Sequence, residues 1–197
     1  MPVEMAIASR NPGKIREIQQ ICADWPVRWV AEDEDPRDWP DVEETGRTYL
    51  ENALLKAREV SRVLGMPCVA DDSGIEVDAL AGAPGALSAR FAGDGASDED
   101  NLALLIDSIR DEDVRSARYV CIAAAVWPDG REVHAEATCE GTLITQRKGS
   151  GGFGYDPVFV PDDDATGRTM AELTADEKDA ISHRGKAFRA LRAALEA

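Results

Sequence analysis

The order in which apolar runs and capped amphipathic stretches alternate restricts this chain more than any other feature. Met5 to Ser9 is a short apolar run, and beyond Asn11, Pro12 and Gly13 the residues Ile15, Ile18, Ile21, Cys22 and Trp25 recur at helical spacing. That pattern predicts a strand, a tight loop and a helix, with Asn11 as cap and Pro12 in the first turn. Thr48 with Glu51 forms a capping box opening a helix through Leu50, Leu54, Ala57 and Leu64, which Gly65 and Pro67 end. Cys68 to Ala70 reads as a short buried strand running into Asp71, Asp72, Ser73 and Gly74, which puts a carboxylate pair at a strand end. Ser97 with Asp100 and Thr174 with Glu177 cap two more helices, and a last one starts near Ser182 and carries Phe188, Leu191 and Leu195. Residues 117 to 127 form an apolar strand whose partner, marked by Val133, Ala135, Ala137 and Cys139, returns after a turn at Pro128, Asp129 and Gly130. A further strand is expected near Leu143 and a short one at Val158 to Val160. Parallel connections early and a hairpin late imply a mixed α/β architecture, with helices packed on a twisted central sheet.

With 197 residues, the chain fits one domain or two lobes sharing a sheet. No stretch is long and apolar enough to span a bilayer, and the start lacks a signal-peptide pattern, so the cytoplasm is the expected location. The net charge of -16 repels nucleic acid and anionic lipid at long range, which leaves small polyanions that meet a local cluster of cations. Cys22, Cys68, Cys121 and Cys139 are scattered without metal-site or redox spacing and read as core thiols.

Four constellations carry chemistry. Ser9, Asn11 and Lys14 in SRNPGK combine a hydroxyl, an amide, backbone N–H groups at a helix start and an ammonium, each suited to phosphate oxygens; the same residues would also make an ordinary capped helix. Asp71 and Asp72, joined by Glu43 and Glu44 from an acidic segment, offer hard oxygens of the kind magnesium takes. The run Gly149 to Gly154 contains GxGxxG, but Pro157 and an apolar strand follow it in place of a helix, which argues against dinucleotide binding. The loop suits close approach of backbone to a base, with Phe153 stacking on it. Finally Lys178, His183, Arg184 and Lys186 group cations at a helix start in an acidic chain, either to draw a triphosphate and read a base edge or to form plain salt bridges.

Together SRNPGK, EETGRTYLENALLKA, ADDSG with GAPGALSARFAG, GGFGYDPVF and SHRGKAF resemble, in the same order, the motif series of the inosine triphosphate pyrophosphatase family, from about residue 5 to residue 190. The resemblance implies an elongated two-lobed α/β fold with the active site in a cleft between lobes, usually a homodimer. It implies hydrolysis of inosine, deoxyinosine or xanthosine triphosphate to the monophosphate and pyrophosphate, with magnesium as cofactor and no nucleic-acid or membrane partner. Carried over residue by residue, Ser9, Arg10, Asn11 and Lys14 grip the triphosphate with Lys56, and Asp72 is the catalytic carboxylate with Glu44 as its metal partner. Ser73, Phe153, Gly154, Tyr155, Asp156, Lys178, His183 and Arg184 bind nucleotide and base. A non-catalytic nucleotide-binding module and a pyridine-nucleotide oxidoreductase are the rival readings. The segment from Pro161 to Gly167, with three successive Asp, departs from what the resemblance implies.

Overall fold

The computed structural model describes residues 3–196. Its strands are β1 (Val3–Ile7), β2 (Val27–Val30), β3 (Cys68–Val77), β4 (Ser116–Val126), β5 (Glu132–Leu143) and β6 (Phe159–Pro161). The longer helices are α1 (Pro12–Ile21), α2 (Tyr49–Leu64), α3 (Asp98–Ser108), α4 (Ala175–Ile181) and α5 (His183–Glu196). All strands join one sheet in the order β2-β1-β3-β4-β5-β6. β1 pairs parallel with β2 and β3, and β5 pairs antiparallel with β6, so the sheet is mixed as the alternation of elements implies. No helix among the described residues is long and apolar enough to cross a membrane.

The chain divides into two compact units: one comprises residues up to Asp72, Cys121–Ala137 and the stretch from Arg184, the other Ser73–Val120 and Thr138–His183. In the first unit the period of two along each strand assigns side chains to opposite faces. Met5 and Ile7 of β1, Val69 of β3 and Cys121, Ala123 and Ala125 of β4 pack with Ile18 and Cys22 from the α1 region and Phe188 and Leu191 of α5. The alternate residues Ala6 and Ala8, Cys68 and Ala70, and Val126 pack with Ala57 and Val60 of α2. Helices therefore cover both faces, and neither face tolerates a charge without a partner.

In the second unit Ile75 and Val77 of β3, Ala117 and Tyr119 of β4 and Cys139 and Leu143 of β5 form a core with Leu102 and Leu105 of α3, Phe159 and Met170. The intervening residues point the other way, where Arg118 pairs with Glu76 at 3.1 Å and with Asp78 at 3.4 Å. One face is apolar and the other ionic, the ordinary result of alternation in a half-covered sheet.

Helix starts follow the local signals. Thr48 with Glu51, Ser97 with Asp100 and Thr174 with Glu177 all form reciprocal capping boxes. Two strand expectations need correction. Asp71 and Asp72 lie inside β3, which continues unbroken to Val77, because strand pairing overrides the turn chemistry of DDSG and cations from elsewhere in the chain meet the charge. The hairpin partner and the strand near Leu143 are one twelve-residue element, β5. The four-residue β2 at the sheet edge has no clear sequence signal of its own.

Candidate active site

Strand alternation continues into the carboxylate pair and sends the two side chains to different companions. Asp71 shares its parity with Val69 and is met by α1 and α5: Arg184 donates to its Oδ2 from Nε at 3.2 Å and Nη2 at 3.0 Å, and Lys14 Nζ lies 3.2 Å away. Asp71 is fully buried, and its Oδ1 is a buried atom without a hydrogen-bond partner among the described residues. Arg184 is also held by Glu17, three residues after Lys14 on α1. Burial opposes ionisation of Asp71, but Arg184, Lys14 and Lys56 outweigh it and hold its carboxyl well below the usual carboxylate range.

Asp72 shares its parity with Ala70 and meets α2. Asn52 Nδ2 donates to its Oδ2 at 3.1 Å, and Lys56, one helical turn on, places Nζ 3.8 Å from Oδ1 and 2.8 Å from Glu44 Oε1. Burial, aided by Glu44, raises the Asp72 carboxyl above its ordinary value of 3.8 despite the pull of Lys56 and Lys14. Burial alone would lower the Lys56 ammonium, but Asp72, Glu44 and Asp71 raise it, so it stays charged. Neighbours in sequence thus differ in proton affinity: Asp71 is locked as an anion and Asp72 is the more basic of the two.

The stretch from Ser9 to Lys14 contributes its lysine more than its backbone. Asn11 Oδ1 accepts from the N–H groups of Gly13 at 2.8 Å and Lys14 at 3.2 Å, and Ser9 Oγ accepts from Asn11 N at 3.2 Å. Two of the N–H groups that the sequence offers to phosphate are therefore satisfied by the cap itself. Arg10 is exposed and turned toward the acidic segment, paired with Glu32 at 2.7 Å and with Asp41.

In the second unit, Asp156 accepts from Phe153 N at 2.9 Å, Lys178 Nζ at 2.6 Å and Tyr119 Oη at 3.3 Å while buried. Lys178 Nζ sits 5.0 Å from the centre of the Phe153 ring. His183 lies flat on Tyr119, with centroids 4.4 Å apart and planes 7° from parallel. Tyr155 is buried and donates through its hydroxyl to Ser88 O at 2.7 Å, and Gly154 N donates to Asp98 Oδ2 at 3.0 Å. Ser73 is half-buried on β3 directly after Asp72. Gly152 has φ +68°, and a methyl there would overlap the Asp156 carboxylate, so this position needs glycine twice over. The next elements after Gly154 are a 3₁₀ turn at Asp156–Val158 and β6, not the helix a dinucleotide fingerprint requires.

The structure brings Lys14, Lys56, Asp71, Asp72, Glu44 and Arg184 into one cluster and Phe153, Asp156, Lys178 and His183 into another. Asn52, Glu17 and Tyr119 join them without a signal strong enough to single them out. Asn52 precedes Lys56 by one turn of α2, which sets both on the face that meets Asp72, but that spacing carries no chemistry until the fold supplies the partner.

A mixed sheet with helices packed on it, whose third strand carries two buried carboxylates answered by lysine and arginine, defines the class: an α/β protein with an ionic site built on one strand. Among known proteins the likeness is narrower. The chain belongs to the Ham1 family, whose model matches residues 5–194. A dITP/XTP pyrophosphatase of Streptomyces coelicolor is 51% identical over 191 residues, covering 95% of this chain and 94% of that one. The solved Ham1 protein of Staphylococcus aureus superposes with TM-score 0.83 at 40% identity over 98% of both chains. A nucleoside-triphosphatase / dITP/XTP pyrophosphatase from Mycobacterium abscessus gives TM-score 0.73 at 44% identity, covering 95% of this chain and 98% of that one.

Proposed function

We propose that this chain is a nucleoside triphosphate pyrophosphatase that hydrolyses non-standard purine nucleotides, the inosine, deoxyinosine and xanthosine triphosphates, to monophosphate and pyrophosphate, and so cleanses the nucleotide pool. The observation that carries the reading is the division between Asp71 and Asp72. Hydrolysis needs a base for water beside cations for phosphate, and Asp72 is the buried carboxylate with raised proton affinity, while Lys14 and Lys56 lie within ion-pair reach of the pair.

In this reading Asp72 takes the proton from water as its oxygen bonds to the α-phosphorus, and the bond from that phosphorus to the bridging oxygen breaks. Pyrophosphate leaves with its charge met by Lys14 and Lys56. Asp71 does not compete for the proton, because Arg184 and Lys14 hold it ionised. Phe153, Gly154, Tyr155, Lys178 and His183 are assigned to binding of the base, and Ser73 and the Ser9 to Lys14 stretch to binding of the phosphates, by the family resemblance. A donor at the 6-oxo edge rejects 6-amino purines, since that donor is left unpaired against an amino group.

The residues present fit magnesium brought in with the substrate. Glu44 and Asp72 both reach toward the Lys56 ammonium and so lie close to one point of positive charge. Among the described residues no group of three or more His, Cys, Asp or Glu is arranged as a complete cage. Magnesium is commonly held by one or two carboxylates with substrate phosphates and water completing the shell. When bound, the ion would polarise water and neutralise phosphate charge. A cytoplasmic homodimer completes the proposal, to be checked by fractionation and by light scattering.

The test is pyrophosphate release by purified protein with magnesium across a panel of inosine, deoxyinosine, xanthosine, adenosine and guanosine triphosphates. Preference for the first three is expected. Equal turnover of adenosine triphosphate would refute the base-reading part, and nucleotide binding without release would make the protein a binding module.

A further inference from the structure

We propose that Tyr119 is a positioning residue for purine selection, acting through His183 and Asp156; this rests on the pyrophosphatase reading above. Tyr119 lies on β4 among apolar residues and is buried. Its ring makes two contacts of different kinds. One side is tilted against Phe159, with centroids 4.7 Å apart and planes at 59°, which fixes the ring from within the core. His183 lies parallel to it at 4.4 Å. A flat, immobile ring under an imidazole fixes the plane in which its N–H bonds point, and the plane of a donor decides which edge of a base it can read.

The hydroxyl makes the second connection. It donates to Asp156 Oδ1 at 3.3 Å, while Asp156 Oδ2 holds Lys178 at 2.6 Å and the backbone N–H of Phe153 at 2.9 Å. Through one side chain, then, the core sets His183 directly and Lys178 and Phe153 by way of Asp156. The hydroxyl bond is long and weak, so the stacked face carries most of the effect. Asp156 keeps its lysine and its backbone donor without it.

Three variants separate these contributions from plain core packing. Tyr119→Phe keeps the ring and removes the hydroxyl; its KM for inosine triphosphate should rise about twofold to threefold with selectivity retained, the loss of one weak hydrogen bond. Tyr119→Met fills similar volume without a flat face, and Tyr119→Leu repeats the test if the methionine variant folds poorly. For either, the ratio of kcat/KM for inosine over adenosine triphosphate should fall about tenfold, through KM for the inosine substrate, the order of an aromatic stack. Turnover of adenosine triphosphate should stay within about threefold, since phosphate contacts are untouched. An unchanged ratio in the methionine and leucine variants overturns the proposal. So does an equal loss on both substrates in a protein with a normal melting curve, because a purely structural role would lower both alike. A wild type that does not distinguish the two substrates overturns the base-reading part of the proposed function, and Tyr119 with it. If neither variant folds, calorimetry on Tyr119→Phe tests the connection through Asp156: affinity for inosine triphosphate should fall about twofold to threefold while tripolyphosphate affinity holds, and an unchanged affinity for inosine triphosphate overturns the proposal.

Discussion

Replacing Arg184 by methionine removes the principal counter-charge of a carboxylate that has no exit to water. Asp71 is 0% exposed and the Arg184 side chain 2% exposed. Taking one partner from a buried pair costs about 3–5 kcal/mol, because the remaining charge stays buried. Lys14 still stands 3.2 Å from Asp71 Oδ2, and Glu17, 14% exposed, can reach water, so the lower end of that range applies. At roughly 2–4 °C per kcal/mol for a chain of this size, a loss of about 3 kcal/mol lowers Tm by about 6–12 °C. Urea unfolding followed by tryptophan fluorescence at neutral and acid pH is the assay.

The pH dependence has a definite sign. Asp71 is held below its ordinary value of 3.8 in the folded state, so its contribution to stability is full above 3.8 and is lost as pH falls through the folded value. Without Arg184 that depression shrinks, so wild type and variant should differ most at neutral pH and converge in acid. Adding Asp71→Leu to the variant should restore about 1–2 kcal/mol, since no buried carboxylate is then left without its arginine. A cost of Arg184→Met below about 1 kcal/mol, or a gap that does not narrow in acid, would refute this account of the cluster.

Asp72→Asn should cut kcat by about 10²–10⁴-fold with an unchanged circular dichroism spectrum; near-normal turnover would remove Asp72 from the base role. In wild type, kcat/KM should climb as pH rises through the Asp72 value, and because burial raises that value the acid limb should lie above 3.8; a limb at or below it would contradict the assignment. Gly152→Ala meets both a φ of +68° and the Asp156 carboxylate, and should cost about 1–3 kcal/mol in a denaturant titration while raising KM. Arg10→Gln breaks exposed pairs with Glu32 and Asp41 and should cost less than about 1 kcal/mol by thermal melt, a loss that shrinks further in salt.

What the sequence discloses is what short-range chemistry decides. Reciprocal caps such as Thr48 with Glu51 close within one turn, so they mark helix starts without knowledge of the fold. β3 is harder, because DDSG has the composition of a turn and becomes a strand only where charges can be met inside the sheet. The residue that meets Asp71, Arg184, lies 113 positions away. Lys14, Lys56, Asp72 and Arg184 could be singled out by type and grouping. Glu17, Asn52 and Tyr119 could not, since each matters through a partner that only the folded chain supplies. Tyr119 in particular sits in an apolar run where an aromatic ring is ordinarily just core.

Because Asp71 and Asp72 owe their different surroundings to nothing but odd and even places on one strand, the spacing of β3 is itself a chemical assignment. Deleting Val69 would move Asp72 into the place of Asp71, against Arg184 and Lys14, and bring Ser73 to the place where Asp72 meets Asn52 and Lys56. Composition and net charge would barely change, yet the acceptor would sit among cations that forbid it a proton, and a hydroxyl would stand where the basic carboxylate had been. Such a protein should keep its affinity for polyanions far better than it keeps turnover.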